Sequence, residues 1–229
     1  MDSTPIIDPA IAAIAPDFRA VSLFADAHGV AANALDPAVL ADACNVARAG
    51  GPVWAEAHLA SWADAYGRFG ARPNRTTCSA QALRKRVLKD GTLPAINPVV
   101  DLYNAVSLRF AIPVGGEDAA AYVGPPRLTI ANGTEPFDTI MNGEPVIEYP
   151  TPGEVIWRDD QGVTCRRWNW RQGSRTRLDA LTGRMWFVLE SLGTMPASAL
   201  DEAADALDHG LRTIIPGCSI ERQTIALTA

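Results

Sequence analysis

The first half of this sequence reads as helices and the second half as short strands, and that segregation constrains the fold more than any other feature. After a strand over residues 18–24, Asp36-Pro37 has the form of an N-cap followed by a first-turn proline. It opens a helix that runs to residue 49 and stops at Gly50-Gly51. A second helix over 53–69 carries Leu59, Trp62, Tyr66 and Phe69 at spacings of three and four, one apolar stripe. A third covers 79–89 and ends at Gly91, and Asn97-Pro98 opens a fourth that reaches residue 110. From Arg127 onward the pattern becomes strands over 127–131, 145–149, 154–158, 163–170, 185–192 and 220–227, with one amphipathic helix over 201–212. Gly133, Asn142-Gly143, Pro152-Gly153 and Gly162 supply the turns. Helices gathered early and strands gathered late predict an α+β fold, not a doubly wound parallel sheet.

At 229 residues the chain fits one large domain, or one with an appended subdomain. A formal charge of −6 argues against a protein that coats duplex DNA through a global positive field, but it permits a local basic cleft. Cys44, Cys78, Cys165 and Cys218 are scattered and form no C-x-x-C pair, so reduced, mostly buried thiols are expected and metal-ligand spacing is absent. His28, His58 and His209 are equally dispersed, no G-x-S-x-G elbow accompanies them, and no glycine-rich phosphate loop is present. The expectation is therefore no metal and no cofactor. The apolar run over 5–15 is interrupted by Asp8 and Pro9, which predicts neither a signal peptide nor a membrane span, and a cytoplasmic protein.

Residues 154–178 stand apart. They hold six of the eighteen arginines and three of the six tryptophans. Guanidinium groups pair with phosphate and indoles stack on bases, so Arg166-Arg167-Trp168-Asn169-Trp170-Arg171 suits a surface for single-stranded or terminal RNA. An edge strand with arginines in solvent and tryptophans in the core gives the same alternation. Strand period puts Arg167, Asn169 and Arg171 on one face and Arg166, Trp168 and Trp170 on the other. A second basic window, Arg72, Arg75, Arg84, Lys85, Arg86 and Lys89, is either a phosphate-facing helix or a solvated one. Asn97, Asp101 and Asn104 share one face of the fourth helix, solvated or aimed at a ligand. Glu135, Glu144 and Glu154 sit in or near turns, where solvated loop carboxylates are usual.

Taken together, Leu93-Pro94-Ala95-Ile96-Asn97-Pro98-Val99-Val100-Asp101-Leu102-Tyr103-Asn104, the segment 127–135, Gly153-Glu154-Val155-Ile156-Trp157-Arg158-Asp159 and residues 165–177 resemble the B3/B4 tRNA-binding domain. That domain is the editing domain of the phenylalanyl-tRNA synthetase beta subunit, and it has free-standing relatives. The resemblance covers roughly residues 75–195, with 1–74 adding the N-terminal strand and helices of a single compact domain over 1–229. It implies a pocket between the Asn97 helix and the late strands, and recognition of the acceptor end of an aminoacyl-tRNA. It further implies trans-editing, the hydrolysis of a mischarged aminoacyl ester by water without a metal. A non-catalytic module for tRNA or a small amino-acid-like ligand is the alternative, and a small-molecule hydrolase on the same pocket a third reading. Under the resemblance, Asn104, Gly133, Glu135, Arg166, Arg167, Trp168, Asn169 and Arg171 are the candidate substrate- and tRNA-binding residues. Arg167 and Arg171 would meet phosphate or carboxylate, Trp168 would wall the pocket, Asn104 and Asn169 would orient ester or water, and Glu135 would hold the α-amino group. The synthetase pattern has a histidine where this chain has Gly115, and a glycine-rich loop where it has Arg166-Arg167-Trp168-Asn169-Trp170.

Overall fold

The computed structural model describes residues 4–72 and 75–227. The elements are β1 (Ile6–Ile7), β2 (Arg19–Asp26), α1 (Pro37–Arg48), α2 (Ala55–Arg68), α3 (Ser79–Asp90), α4 (Pro98–Phe110), β3 (Val114–Asp118), β4 (Arg127–Ile130), β5 (Phe137–Met141), β6 (Glu144–Glu148), β7 (Val155–Arg158), β8 (Val163–Arg166), β9 (Arg171–Gln172), β10 (Arg184–Ser191), α5 (Ala197–Ile214) and β11 (Ser219–Ala226). This is an α+β fold with four of its helices ahead of nearly all its strands. One sheet has the antiparallel order β11-β2-β10-β3, and a second has the order β1-β4-β7-β8-β9, parallel only between β1 and β4. β5 and β6 form a separate hairpin.

Local chemistry sets the helix ends. Asp36 accepts a hydrogen bond from the Ala38 amide at 2.9 Å, and Asn97 accepts one from Val100 at 2.9 Å, each just ahead of a proline at the first helical position. Gly91 closes α3 with φ 81°, a conformation that costs glycine little. β10 is the central strand and is buried on both faces. Met185, Phe187 and Leu189 pack with Leu102 of α4 and with Leu200, Leu207 and Leu211 of α5. Trp186 and Val188 face the opposite way, toward Leu59, Trp62 and Tyr66 of α2 and toward Val155 and Trp157 of β7.

His58 ties these layers together. Its Nε2 accepts hydrogen bonds from the Trp62 indole at 3.2 Å and the Leu192 amide at 3.1 Å. Nδ1 therefore carries the proton and donates to the Ala111 carbonyl at 2.9 Å, just past the end of α4. Burial holds its pKa down to about 4, so the ring is neutral.

Three expectations need correction. The strand read over 163–170 ends at Arg166, because Arg167 and Trp168 turn into the left-handed region with φ 47° and 67°. Residues 167–170 are the loop of a β8–β9 hairpin, so the two-face alternation inferred from strand period does not apply. β3 and β5 were not anticipated: Val114-Gly115-Gly116-Glu117-Asp118 has no apolar alternation, and β5 lies between turn signals. The last helix begins at Ala197, four residues before the reading from its apolar face.

The neutral His58 gives a prediction with a definite sign. Its folded pKa lies below the unfolded value of 6.5, so its contribution to stability is present above pH 6.5 and is lost as pH falls toward 4. Glu117 and Glu190, raised to about 7, act in the opposite sense in both proteins, so chemical denaturation between pH 4 and 7 should show the wild type losing on the order of 3 kcal/mol relative to His58→Gln.

Candidate functional site

The β8–β9 loop is held from below by two buried carboxylates. Glu154, 4 % exposed, accepts from Arg166 Nε at 3.0 Å and Nη2 at 2.9 Å, a bidentate pair, and its Oε1 also accepts the Arg167 amide at 3.0 Å. Arg166 reaches Glu148 of β6 at 2.7 Å, and Arg171, its cross-strand partner, pairs with the same carboxylate. Glu190, at 0 % exposure, accepts from the Trp157 and Trp168 indoles on Oε1, both at 2.9 Å, and from Asn169 Nδ2 on Oε2 at 2.9 Å. The Tyr66 hydroxyl donates to Asn169 Oδ1 at 2.9 Å. These bonds offset the left-handed backbone at Arg167 and Trp168, which costs a side-chain-bearing residue roughly 1–2 kcal/mol each.

Above Glu190 opens a cavity of about 250 Å³. Its floor is the face of β10 and β3 that carries Trp186, Val188, Glu190, Gly115 and Glu117. Tyr103 and Asn104 of α4 and Ser79, Ala82 and Leu83 of α3 form one wall. Cys165, Trp168, Asn169, Trp170 and Gln172 form the other. Gly115 leaves its part of the floor open, since a Cβ there meets only Val188 at 3.4 Å. Burial pushes both Glu117 and Glu190 up to about 7, against the opposing pull of their hydrogen bonds. Glu117 accepts from the Tyr122 hydroxyl, which lies 3.2 Å from Thr164 Oγ1. The Cys165 thiol is raised well above its ordinary value by burial and by Glu117 and Glu190, so it stays protonated. With both His58 nitrogens committed, no histidine pairs with Ser79 or Cys165 as a base.

At the mouth, Arg167 Nη1 donates to Thr76, and its guanidinium lies 4.8 Å from the Trp170 ring centroid. Arg171 stacks on the same ring at 5.1 Å. Arg72 and Arg75, beside Thr76, are exposed, as are Lys85, Arg86 and Lys89 on α3. Arg84, by contrast, is tied to Glu56 at 2.5 Å.

The structure thus brings Asn104, Trp168 and Asn169 to the cavity, and places Arg167 and Arg171 on its rim behind Trp170. Arg166 is buried in the ion-pair cluster instead. Trp168 is fully buried and turned to Glu190, and both ends of the Asn169 amide are occupied, so these two residues build the wall. Gly133 and Glu135 do not line the cavity. Glu135 accepts the Asn132 and Gly133 amides at 2.9 and 3.0 Å and faces Arg158 at 3.8 Å, the work of a turn carboxylate. Asp101 accepts the Ile96 amide and completes the cap region of α4. Asp26 and His28 form a strand-end turn through the His28 amide. Sequence reasoning missed Glu117 and Glu190. The available signal was a glutamate inside the apolar run Met185-Trp186-Phe187-Val188-Leu189-Glu190, where an uncompensated charge has no place.

The α+β scaffold carries a partly aromatic, carboxylate-floored cavity between a capped helix and a hairpin loop. The family comparison names it: the B3/4 domain model matches residues 61–204, well over half of the chain, and the chain belongs to that family. A comparison with curated proteins gives no match. Among solved structures, this chain is similar to an N-terminal fragment of the phenylalanyl-tRNA synthetase beta-subunit from Pyrococcus horikoshii. That similarity has a TM-score of 0.49 and 11 % identity, covering 96 % of this chain and 50 % of the fragment, so the chain spans about half of the fragment's length. Among the described residues, no helix is long and apolar enough to cross a membrane, and no group of three metal-type ligands comes together.

The two rows of arginines make separable predictions. Arg166→Ala removes the bidentate partner of the buried Glu154, leaves it only the looser Arg167 contact at 3.6 Å, and should lower stability by about 3 kcal/mol in urea denaturation. Arg167→Ala removes a side chain 29 % exposed whose 3.6 Å contact to Glu154 is secondary to the Arg166 pair, and should cost about 1 kcal/mol in the same assay.

Proposed function

We propose that this chain binds the aminoacylated end of a tRNA and hydrolyses the ester of a mischarged amino acid. The observation that carries this reading is the cavity itself. At about 250 Å³ it falls below the range of drug-sized ligand pockets, so it suits an aminoacyl group and not a whole nucleotide. Arg167 and Arg171, stacked on the cavity-lining Trp170, are the cations that would meet the phosphates of the attached RNA end. Membership of the B3/4 family supports the same class of partner.

The chemistry asked of such a site is modest. An aminoacyl ester is already activated, so water adds to its carbonyl carbon, the C–O bond to the ribose breaks, and the proton from water passes to the ribose oxygen. Positioning is the main requirement. Asn104 is half-buried, faces the cavity, and makes no side-chain hydrogen bond among the described residues, so its amide is available to orient the ester. Trp170, flanked by Arg167 and Arg171, offers a stacking face with two cations for the terminal adenosine. The protonated Cys165 and the committed His58 favour water over a protein nucleophile. The same lack of an activated group supports the second reading, a module that binds aminoacyl-tRNA without turnover.

A deacylation panel decides between them. Purified protein is incubated with tRNAs carrying non-cognate, D- and non-protein amino acids, and release of amino acid is followed. At least one species should be deacylated well above the buffer rate. Arg167→Ala should raise KM about tenfold while leaving kcat within about threefold, and lower the salt slope of tRNA binding by about one. Saturable, salt-sensitive tRNA binding with no release selects the second reading. Neither release nor binding across the panel removes both.

A further inference from the structure

The two glutamates of the cavity floor are not equivalent. Glu190 receives three N–H donors on its two oxygens and needs nothing more. Glu117 receives one donor, the Tyr122 hydroxyl on Oε2, and is 5 % exposed. The Thr164 and Thr176 hydroxyls stand near enough to draw its pKa down, but no group among the described residues meets Oε1 in hydrogen-bond geometry. Register places Glu117 opposite Trp186, so Glu190 lies four residues farther along β10, about 13 Å at strand rise. The open oxygen therefore sits at the far end of the floor from the saturated one.

No cation is paired with Glu117, although the exposed Arg177 stands across an antiparallel bridge from it. Among the described residues, no Lys or Arg lies within ion-pair distance of Glu117. Arg175, whose positive field reaches Glu117, is bound bidentately to the buried Asp159 at 2.9 and 2.9 Å. The other titratable groups around Glu117 are Tyr103, Tyr122 and Cys165, all raised by burial and so neutral, its bridge partner Arg177, outside ion-pair distance, and Glu190 at the far end of the floor. A carboxylate set in a cavity wall with one oxygen open and no ion-paired cation is a site that a ligand cation completes.

We propose that Glu117 is the subsite for an ammonium group of the ligand, so that the cavity selects amine-bearing groups over neutral ones of the same shape. This rests on the reading of the cavity as an aminoacyl site. The ammonium is either the α-amine of any aminoacyl group or the side-chain amine of a diamino acid, and the probes below separate these sources. Binding moves the Glu117 proton to solvent. An ammonium therefore binds more tightly as pH rises toward 7, the value to which burial pushes the free carboxyl, and more weakly under acid.

Three amides of similar length test this without tRNA: lysinamide, norleucinamide and hexanamide, titrated calorimetrically into the full chain. Lysinamide should bind at least tenfold more tightly than hexanamide. Norleucinamide matching lysinamide assigns the subsite to the α-amine, and norleucinamide matching hexanamide assigns it to the side chain. Glu117→Gln should erase the difference. Should that variant fail to fold, the wild-type protein alone suffices. Its affinity for the amine probes should rise at least fivefold from pH 5 to pH 6, where those amines remain protonated, while hexanamide shows no such change. Equal affinity for all three amides, no binding by any, or an amine preference that survives Glu117→Gln overturns the proposal. Amine-selective binding beside an inactive tRNA panel keeps the subsite and removes the tRNA reading. Deacylation without amine selectivity does the reverse.

Discussion

The buried Glu190 carboxylate is the contact on which the rest of the site depends. It gathers the indoles of Trp157 and Trp168 and the amide of Asn169, and so joins the central strand β10 to β7 and to the β8–β9 loop. Three donors on one carboxylate compensate much of its desolvation, although burial still leaves its pKa near 7. Without that anchor, Trp168 has no reason to adopt a left-handed backbone, and the wall of the cavity has no fixed shape. Glu154 does the same for the residue before it through Arg166 and the Arg167 amide.

This arrangement divides the arginine–tryptophan segment into parts with different work. Arg166, Trp168 and Asn169 are spent inside the protein, on ion pairs and on Glu190. Arg167, Trp170 and Arg171 remain at the rim, where two guanidinium groups lie 4.8 and 5.1 Å from the centroid of one indole. A segment that looks like a uniform RNA-binding stripe is therefore half foundation and half surface. The foundation fixes the geometry of the surface, and a rim held in place loses less entropy on binding the proposed ligand than a mobile one would.

Much of the fold was legible because its signals are local. Asp36-Pro37 and Asn97-Pro98 mark helix starts by a cap and a fixed proline φ, and the continuous apolar run of β10 marks a strand buried on both faces. The site was legible only in part. Asn104 could be placed from its position on α4, whereas the turn at Arg167 and Trp168 is imposed by carboxylates 13 and 22 residues away in sequence, which no local pattern reports. Gly133 and Glu135 looked like pocket residues through the family resemblance, yet Glu135 satisfies the amides of its own turn. Glu117 escaped notice because it lies on an edge strand with two glycines and no alternation.

The central claim is that the cavity between α4 and the β8–β9 loop receives an aminoacyl group whose attached adenosine lies on the arginine-flanked Trp170. A crystal structure with a non-hydrolysable 3′-aminoacylamido-adenosine tests this most directly. The account predicts the aminoacyl group within hydrogen-bond reach of Asn104 and Glu117, and the adenine against Trp170. An analogue seated elsewhere, such as the apolar groove between α1, α4 and α5, or a cavity left empty at saturating concentration, contradicts it.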